Sequence, residues 1–440
     1  MIAPSDTVGR AKAVQAALPA GGLFHEKAWR VAPSAFPLNA KLVAELEKLG
    51  HRLTLFLQAC SQLYRLSADG RQPGWIAELL DAGKPKELVE QQRNKPISQQ
   101  IPRIIRPDII LTDHGFIIAE LDNVPGGIGL TGWLNKIYAD LGDNVLGGPE
   151  GMLDGFASIF PGGDIVISEE ASTYRPEMEW LAAALNAKNS NSPGWRVRDA
   201  QDADDFSPEV YRFFELFDLA NVPAAGKLRN LAAEGKITVT PPFRPALEEK
   251  LWFALFWLRP LEAFWTRALG GRTFSALQEV IPYTWLVDPT PLPPHAVLPR
   301  LEVNDWSEVA AFSQKQRNLI LKISGFSEQA WGSRGVIMAQ DVPQPEWQKE
   351  LSKALEAWPS SPHILQQFHQ GRLVEHDYLD PSGEEIIRMR GRVRLCPYYF
   401  IGEQKTVCGG ALATICPDDK KLLHGMTDAI LTPACKTEDA

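Results

Sequence analysis

The chain has 440 residues, 45% of them hydrophobic, and a formal net charge of −9, which is enough for two or three domains with substantial cores and argues against nucleic acid as the main partner. No apolar run approaches the roughly 20 residues that a bilayer-spanning helix needs, and the five cysteines form no CxxC pair and adjoin no histidine pattern suited to zinc. The odd cysteine count, without a recognisable signal peptide, leads to the expectation of a reducing cytoplasm.

Residues 1–100 read as a helical segment. Leu42, Leu46, Leu49, Leu53, Phe56 and Leu57 recur at near-helical spacing, and Trp75-Ile-Ala-Glu-Leu-Leu adds a short helix. A polar run from Glu90 to Gln100 leads into two apolar stretches, Ile109–Leu111 and Phe116–Ala119, around Thr112-Asp113-His114-Gly115, the pattern of a β-hairpin. With a loop of Asp113-His114-Gly115, Thr112 pairs with Phe116, Ile110 with Ile118, Asp108 with Glu120 and Arg106 with Asp122. The side-chain period of two then puts all four charged residues on one face at the open end of the ribbon. Three close carboxylates repel unless a cation holds them, and Mg²⁺ prefers such oxygens. A surface ribbon with salt-bridged ends is the other reading of these residues. Asn123-Val-Pro-Gly-Gly-Ile-Gly129 is a stiff, glycine-rich exit that frees the backbone to approach a ligand.

Arg106-Pro-Asp108, the apolar hairpin, Glu120-Leu-Asp122 and the Pro-Gly turn resemble the Arg-x-Asp…Glu-x-Asn…Pro-Gly segment of ATP-grasp ligases. The resemblance implies that Asp108, Glu120 and Asp122 hold Mg²⁺ on ATP and that Arg106 faces the reacting phosphoryl and acyl groups. Asp122 stands where Asn is usual, which alters only the charge of the site. More than 300 residues follow the segment here, whereas in ordinary ATP-grasp chains it comes last. That order resembles the circularly permuted branch, which includes the synthetase domain of glutathionylspermidine synthetase. The implied fold is α/β with α+β subdomains: a circularly permuted ATP-grasp fold, a Rossmann-like pre-ATP-grasp domain and a helical N-terminal segment. The implied division is 1–100 for the helical segment, 101–160 for the metal-binding hairpin segment, 161–245 for the Rossmann-like domain and 246–440 for the nucleotide-binding domain.

Leu130–Leu141 has the period of a helix. Beyond Gly162-Gly163, DIVIS, EMEWLAAAL and GWRVRDA read as strand, helix and strand, so a parallel sheet begins there; without GxGxxG a dinucleotide site is not expected. Tyr174, Arg175 and Glu177 fall at the strand-to-helix turn. The resemblance makes them candidates for the acceptor substrate, and helix capping is the plain alternative. Residues 209–218 and 246–268 are read as apolar helices. Lys250 resembles the early lysine of ATP-grasp proteins, though it could equally balance Glu248 and Glu249. The Pro-rich stretch 289–299 is a connection.

Asn318-Leu-Ile-Leu-Lys322-Ile is a strand with one lysine, running into a glycine-containing loop. Ammonium charge beside free backbone N–H groups is how a protein meets polyphosphate. The pair resembles the ATP-grasp strand lysine and its phosphate-covering loop, with Gly332, Ser333, Arg334 and Gly335 at the tip. A helix, Trp347–Trp358, precedes His363-Ile-Leu-Gln366-Gln367-Phe368, which resembles the adenine-reading hinge and is otherwise an ordinary strand end. Arg388, Arg390, Arg392 and Arg394 lie at period two on one strand face, self-repelling without anions. A solvated face is the alternative; the resemblance implies that an arginine from this part contacts ATP phosphates or the acyl phosphate, and Arg392 and Arg394, nearest the apolar run, are the candidates. The double glycine after Cys408 suggests close strand approach, and His424 a structural role.

The function the resemblance implies is an ATP- and Mg²⁺-dependent carboxylate–amine ligase that forms an amide through an acyl phosphate. Its partners would be small-molecule carboxylate and amine substrates, peptide or polyamine among them, with neither nucleic acid nor membrane, and a homodimer left open. A kinase-like phosphotransferase and a non-catalytic nucleotide-binding protein are the rivals.

Overall fold

A computed structural model of the chain describes residues 6–23, 28–188, 193–201, 205–330, 334–423 and 428–437. These residues fall into two compact units, each discontinuous in sequence: residues 1–56, 100–242 and 370–440 in the first, 57–99 and 243–369 in the second. The division differs from the four consecutive segments expected. The first 100 residues are shared, the helix Ala40–Ala68 contributing to both units, and residues 370–440 leave the expected 246–440 domain for the first unit.

The first unit is built on the long strand Ile386–Ile401. It pairs antiparallel with Thr406–Pro417 on one side; on the other it meets Leu373–Leu379 along its first half and Ile104–Thr112 along its second. Its sequence shows the change of neighbour, since arginines alternate up to Arg394 and nearly everything after is apolar and buried. Gly115–Asp122 completes the hairpin at the sheet edge. At the far side lies Ile430–Lys436, and the short strands Arg30–Val31 and Phe36–Leu38 pair parallel to it. The N-terminal segment is therefore not purely helical.

A second, parallel sheet in this unit runs in the order Trp195–Asp199, Gly163–Ile167, Glu209–Phe213, Thr238–Thr240, with the helix Arg175–Lys188 in the expected crossover. Residues 209–213, read as helix, form a strand. Val210, Tyr211, Arg212 and Phe213 are all buried, and a short apolar run covered on both faces has no period that separates strand from helix. The helix Ile128–Asp140 packs against Arg175–Lys188.

The second unit holds an antiparallel sheet in the order Val336–Met338, Leu319–Ile323, His363–Gln367, Thr284–Val287. The helix Gln344–Glu356 anchors its core through the fully buried Trp347. The apolar stretch 246–268 is not one helix. Leu251–Trp257 ends before a 3-10 turn at Arg259–Leu261 and Glu262–Leu269 resumes, because Pro260 has no N–H to continue the ladder and restricts the residue before it. All five cysteines are free, and among the described residues no helix is long and apolar enough to cross a membrane.

Close approach of the two packed helices has a measurable consequence. A Cβ on Gly129 would lie 2.1 Å from the Glu177 carbonyl oxygen, a backbone atom that cannot swing away. Gly129→Ala is expected to destabilise the first unit by about 1–3 kcal/mol, read as a lower urea midpoint with an unchanged slope.

Candidate functional site

The hairpin delivers its four charged residues to one place by a different route from the one expected. Thr112 pairs with Gly115, so the loop is Asp113-His114 alone, and Leu111, Ile110 and Ile109 pair with Phe116, Ile117 and Ile118. That register by itself would turn the acids to opposite faces. A bulge next to Asp108 puts one extra residue, Ala119, on the second strand, and the pairs Asp108 with Glu120 and Arg106 with Asp122 are restored.

Arg106 binds this end together. Its Nε donates to Asp108 Oδ1 at 3.1 Å, its Nη2 pairs with Asp122 Oδ2 at 2.8 Å, and its Nη1 donates to the Gly126 carbonyl at 3.3 Å. Burial opposes the guanidinium charge, but the Asp108 and Asp122 carboxylates outweigh it, so the Arg106 pKa stands well above its ordinary value. Burial pushes the Asp122 carboxyl up, against Arg106 and the Val124 N–H that bonds it. The second oxygen of Asp108 accepts from Arg394 Nη1 at 3.1 Å, and the Cys396 thiol donates to the first at 3.4 Å. Burial, then Asp108, holds that thiol up at about 12.

Only Arg394 of the four arginines reaches this cluster. Arg388 forms a two-point pair with Asp377, Arg390 lies 3.8 Å from Asp418, and Arg392 donates to the carbonyls of Gly371 and Asp418. The expected anion-holding face is thus matched largely by protein acids. Register puts Asp377 opposite Arg388 and Glu375 opposite Arg390, a complement visible in the alternation of Glu375-His-Asp377. Cys396 and Tyr398 were not anticipated, although they continue the period of Arg392 and Arg394. Thr414, directly opposite Arg394 on the next strand, is fully buried, and its hydroxyl has no hydrogen-bond partner.

The three substrate candidates behave differently. Tyr174 lies against the exit turn, where a Cβ on Gly126 would sit 2.4 Å from its ring. Its hydroxyl is raised by burial and by Glu177, with Arg106 and Arg394 among the charges opposing the rise. Arg175 pairs with Glu179 and Asp199 away from the cluster. Glu177 is fully buried and accepts from the Gly127 and Leu130 N–H groups at 2.7 and 2.9 Å, capping the helix Ile128–Asp140. Gly126 and Gly127 therefore make room for Tyr174 and for the Tyr398 hydroxyl, which donates to the Gly126 carbonyl at 2.8 Å. What the glycines accommodate is protein.

The carboxylates of Asp108, Glu120 and Asp122 are chemically of the kind Mg²⁺ takes. Among the described residues, however, no three His, Cys, Asp or Glu side chains are disposed around a common metal position. Asp108 and Asp122 are turned to arginines instead.

In the second unit, Lys322 is 5% exposed on the central strand, and its Nζ donates to Gln366 Oε1 at 2.9 Å; Gln366 Nε2 reaches Thr284 at 3.3 Å. Lys250 Nζ donates to the Ala330 carbonyl at 2.9 Å, at the start of the glycine loop, and Gly335 closes that loop on the Gln329 carbonyl at 2.8 Å. Arg334 is exposed; Gly332 and Ser333 lie outside the described residues, as does His424. The N–H groups of Gln367 and Phe368 donate to the Tyr283 and Asn318 carbonyls, so the sheet uses these two. Lys84, not anticipated, forms a buried 2.5 Å ion pair with Glu249, which also accepts from Ser324 at the root of the loop.

No family model matches the chain, and no curated protein does so significantly. A glutathione synthetase-like effector from Globodera pallida, solved without ligand, superposes with a TM-score of 0.57 at 11% identity, covering 99% of this chain and 98% of that one. A protein assigned as a γ-glutamylcysteine synthetase from Methylobacillus flagellatus matches at a TM-score of 0.41 and 12% identity over 87% of this chain and 88% of its own. The first likeness shows a shared mixed α/β fold.

Glu177 makes the cap pH-sensitive. Burial raises its carboxyl from 4.5 to about 7, with the Leu130 and Gly127 N–H groups pulling the other way. The folded protein therefore holds this proton more tightly than the unfolded chain, and stability from this group is lost as pH rises through that interval. On going from pH 5 to pH 8, urea unfolding of Glu177→Gln should gain up to about 3 kcal/mol relative to wild type. A difference independent of pH would remove the assignment.

Proposed function

We propose that the protein is an ATP-dependent ligase that joins a carboxylate to an amine, with a chain order circularly permuted relative to ordinary ATP-grasp enzymes. The observation that carries this is the cluster of Arg106, Asp108, Glu120, Asp122 and Arg394 at the open end of the hairpin, on a fold shared with a glutathione synthetase-like protein. Lys322 and Lys250 neutralise phosphates of ATP, with the loop at Arg334 and Gly335 covering them, and Gln366, Gln367 and Phe368 flank the base. Asp108, Glu120 and Asp122 would hold Mg²⁺ once Asp108 and Asp122 leave the guanidinium groups they face; when bound it would offset the charge of the phosphates.

The substrate carboxylate attacks the γ-phosphorus, the bond to the β-phosphate oxygen breaks, and ADP leaves with an acyl phosphate formed. The amine then adds to the acyl carbon; Arg394 stabilises the oxyanion and phosphate departs, leaving an amide and a released proton. Arg106 holds Asp108, Asp122 and the exit turn in register for these steps. Tyr174, at the turn, meets the acceptor, whereas Arg175 and Glu177 are committed elsewhere.

The test is a screen of carboxylate and amine pairs for coupled ADP release, followed by mass spectrometry of the product. Glu120→Gln should lower turnover at least about 10²-fold with its thermal midpoint little changed, and Lys322→Met should weaken ATP binding on a similar scale. A stable phosphorylated product in place of an amide would reassign the reaction to phosphotransfer.

A further inference from the structure

The glycine-containing loop of the second unit starts from a buried ionic cluster whose members all belong to that unit. Lys84 Nζ and Glu249 Oε1 lie 2.5 Å apart, and both side chains are 1% exposed. The other Glu249 oxygen accepts from the Ser324 hydroxyl, which in turn accepts from the Leu251 N–H at 2.9 Å. Asp81, a second acid that faces Lys84, is taken by Tyr64, Gln92 and Arg93. Taking two charges out of water is costly, and apolar side chains of similar volume serve stability as well or better. What an apolar pair could not do is accept the hydroxyl of Ser324.

Ser324 stands where three pieces of this unit meet. Its N–H donates to the Pro362 carbonyl at 2.9 Å, one residue beyond the ladder that ends at Ile323, and its carbonyl accepts from the Lys250 N–H at 3.1 Å. Lys322 lies two residues before it, on the same strand face. The loop leaves at Gly325, where a Cβ would sit 2.9 Å from the Glu249 carboxyl carbon. Phe326 follows, its ring centre 5.8 Å from Lys84 Nζ, so the ammonium also faces the loop. Farther along, Lys250 Nζ reaches the same loop at the Ala330 carbonyl. Lys250 and Lys322 are thus both referred to one serine, whose hydroxyl is oriented by Glu249, and Glu249 is neutralised by Lys84.

The structure assigns to Lys84 the role of a positioning residue for the phosphates: it supplies the countercharge that lets Glu249 hold Ser324, and Ser324 sets Lys250, Lys322 and the start of the loop relative to one another. This rests on the reading of Lys250, Lys322 and the loop as the site for the phosphates of ATP. Lys84 itself does not touch the nucleotide. Without its ammonium, Glu249 becomes a buried carboxylate at the root of the loop, which repels a polyphosphate. The loss therefore falls on the phosphates and spares the base.

The test is calorimetric binding of ATP, with Mg²⁺ present, to the full chain, and of adenosine by displacement of ATP. Lys84→Met should weaken ATP by on the order of tenfold or more and leave adenosine unchanged. Lys86→Met removes a like charge at an exposed position two residues on and should bind both as wild type does. Lys84→Met/Glu249→Gln, in which a neutral acceptor still meets Ser324, should recover most of the lost affinity. Should Lys84→Met fail to fold, Ser324→Ala, which keeps the ion pair and severs its link to the strand, takes its place with the same expectation for ATP and adenosine. Equal ATP affinity in the Lys84 and Lys86 variants, a parallel loss of ATP and adenosine, or no recovery in the double variant overturns the role of Lys84 and leaves the nucleotide site standing. No ATP binding by the wild-type chain overturns the nucleotide site and the role of Lys84 with it.

Discussion

A guanidinium group with little access to water must have its donors met by protein, and at Arg106 the three partners come from three separate pieces of backbone. Asp108 is two residues along the same strand, Asp122 is on the paired strand, and the Gly126 carbonyl belongs to the turn beyond it. Hairpin register, turn conformation and helix start are therefore solved together. The same peptide unit is held from its other side, because Glu177 takes the Gly127 N–H while Tyr398 donates to the Gly126 carbonyl. Moving any one of these elements strands a buried charge, a penalty larger than most single contacts contribute. Such a cluster is poor at adding stability and good at excluding alternative registers.

That is also why part of the site was legible in the sequence. Period two in a strand and a short polar loop sufficed to pair Asp108 with Glu120 and Arg106 with Asp122, and the pairing stands although the loop is one residue shorter than expected. The bulge at Ala119 was not legible, since nothing in Ile-Ile-Ala-Glu-Leu marks where a ladder slips. Glu209–Phe213 shows the opposite case. A strand buried on both faces carries no alternation, and only its place between two parallel neighbours reveals what it is.

Residues far apart in sequence were the least legible. By sequence Glu177 is a candidate for the acceptor substrate or a cap of its own helix, yet it caps a different helix that begins some 50 residues earlier. Lys84 and Glu249 are each unremarkable in their local composition, and their ion pair exists only because the fold brings two chain segments together. Lys322 stands out in the sequence as one ammonium among apolar neighbours on a strand that runs into a glycine-containing loop. Its partner Gln366 follows from antiparallel pairing, in which Ile320 stands opposite Gln366 and Lys322 shares the face of Ile320. The glycines misled for a physical reason: a residue without Cβ signals close approach but not what approaches, and here it is Tyr174, Tyr398 and Glu177.

The arginine strand shows how one repeating pattern acquires two roles. Arg388 through Arg394 are chemically identical and evenly spaced, so their own sequence cannot distinguish them. The distinction comes from the change of neighbour halfway along the strand. Leu373–Leu379 presents acids to Arg388 and Arg390 at a wet edge, where the pairs are screened and weak. Past Arg392 the neighbour becomes Ile104–Thr112, the surroundings turn apolar, and the acid supplied is Asp108, itself held by Arg106. In those surroundings an ion pair interacts strongly with whatever else is present. The same residue type therefore passes from a solvated rung at Arg388 to a buried group with an unmet Nε at Arg394, six residues later, and the hairpin that brings Asp108 is what separates the two.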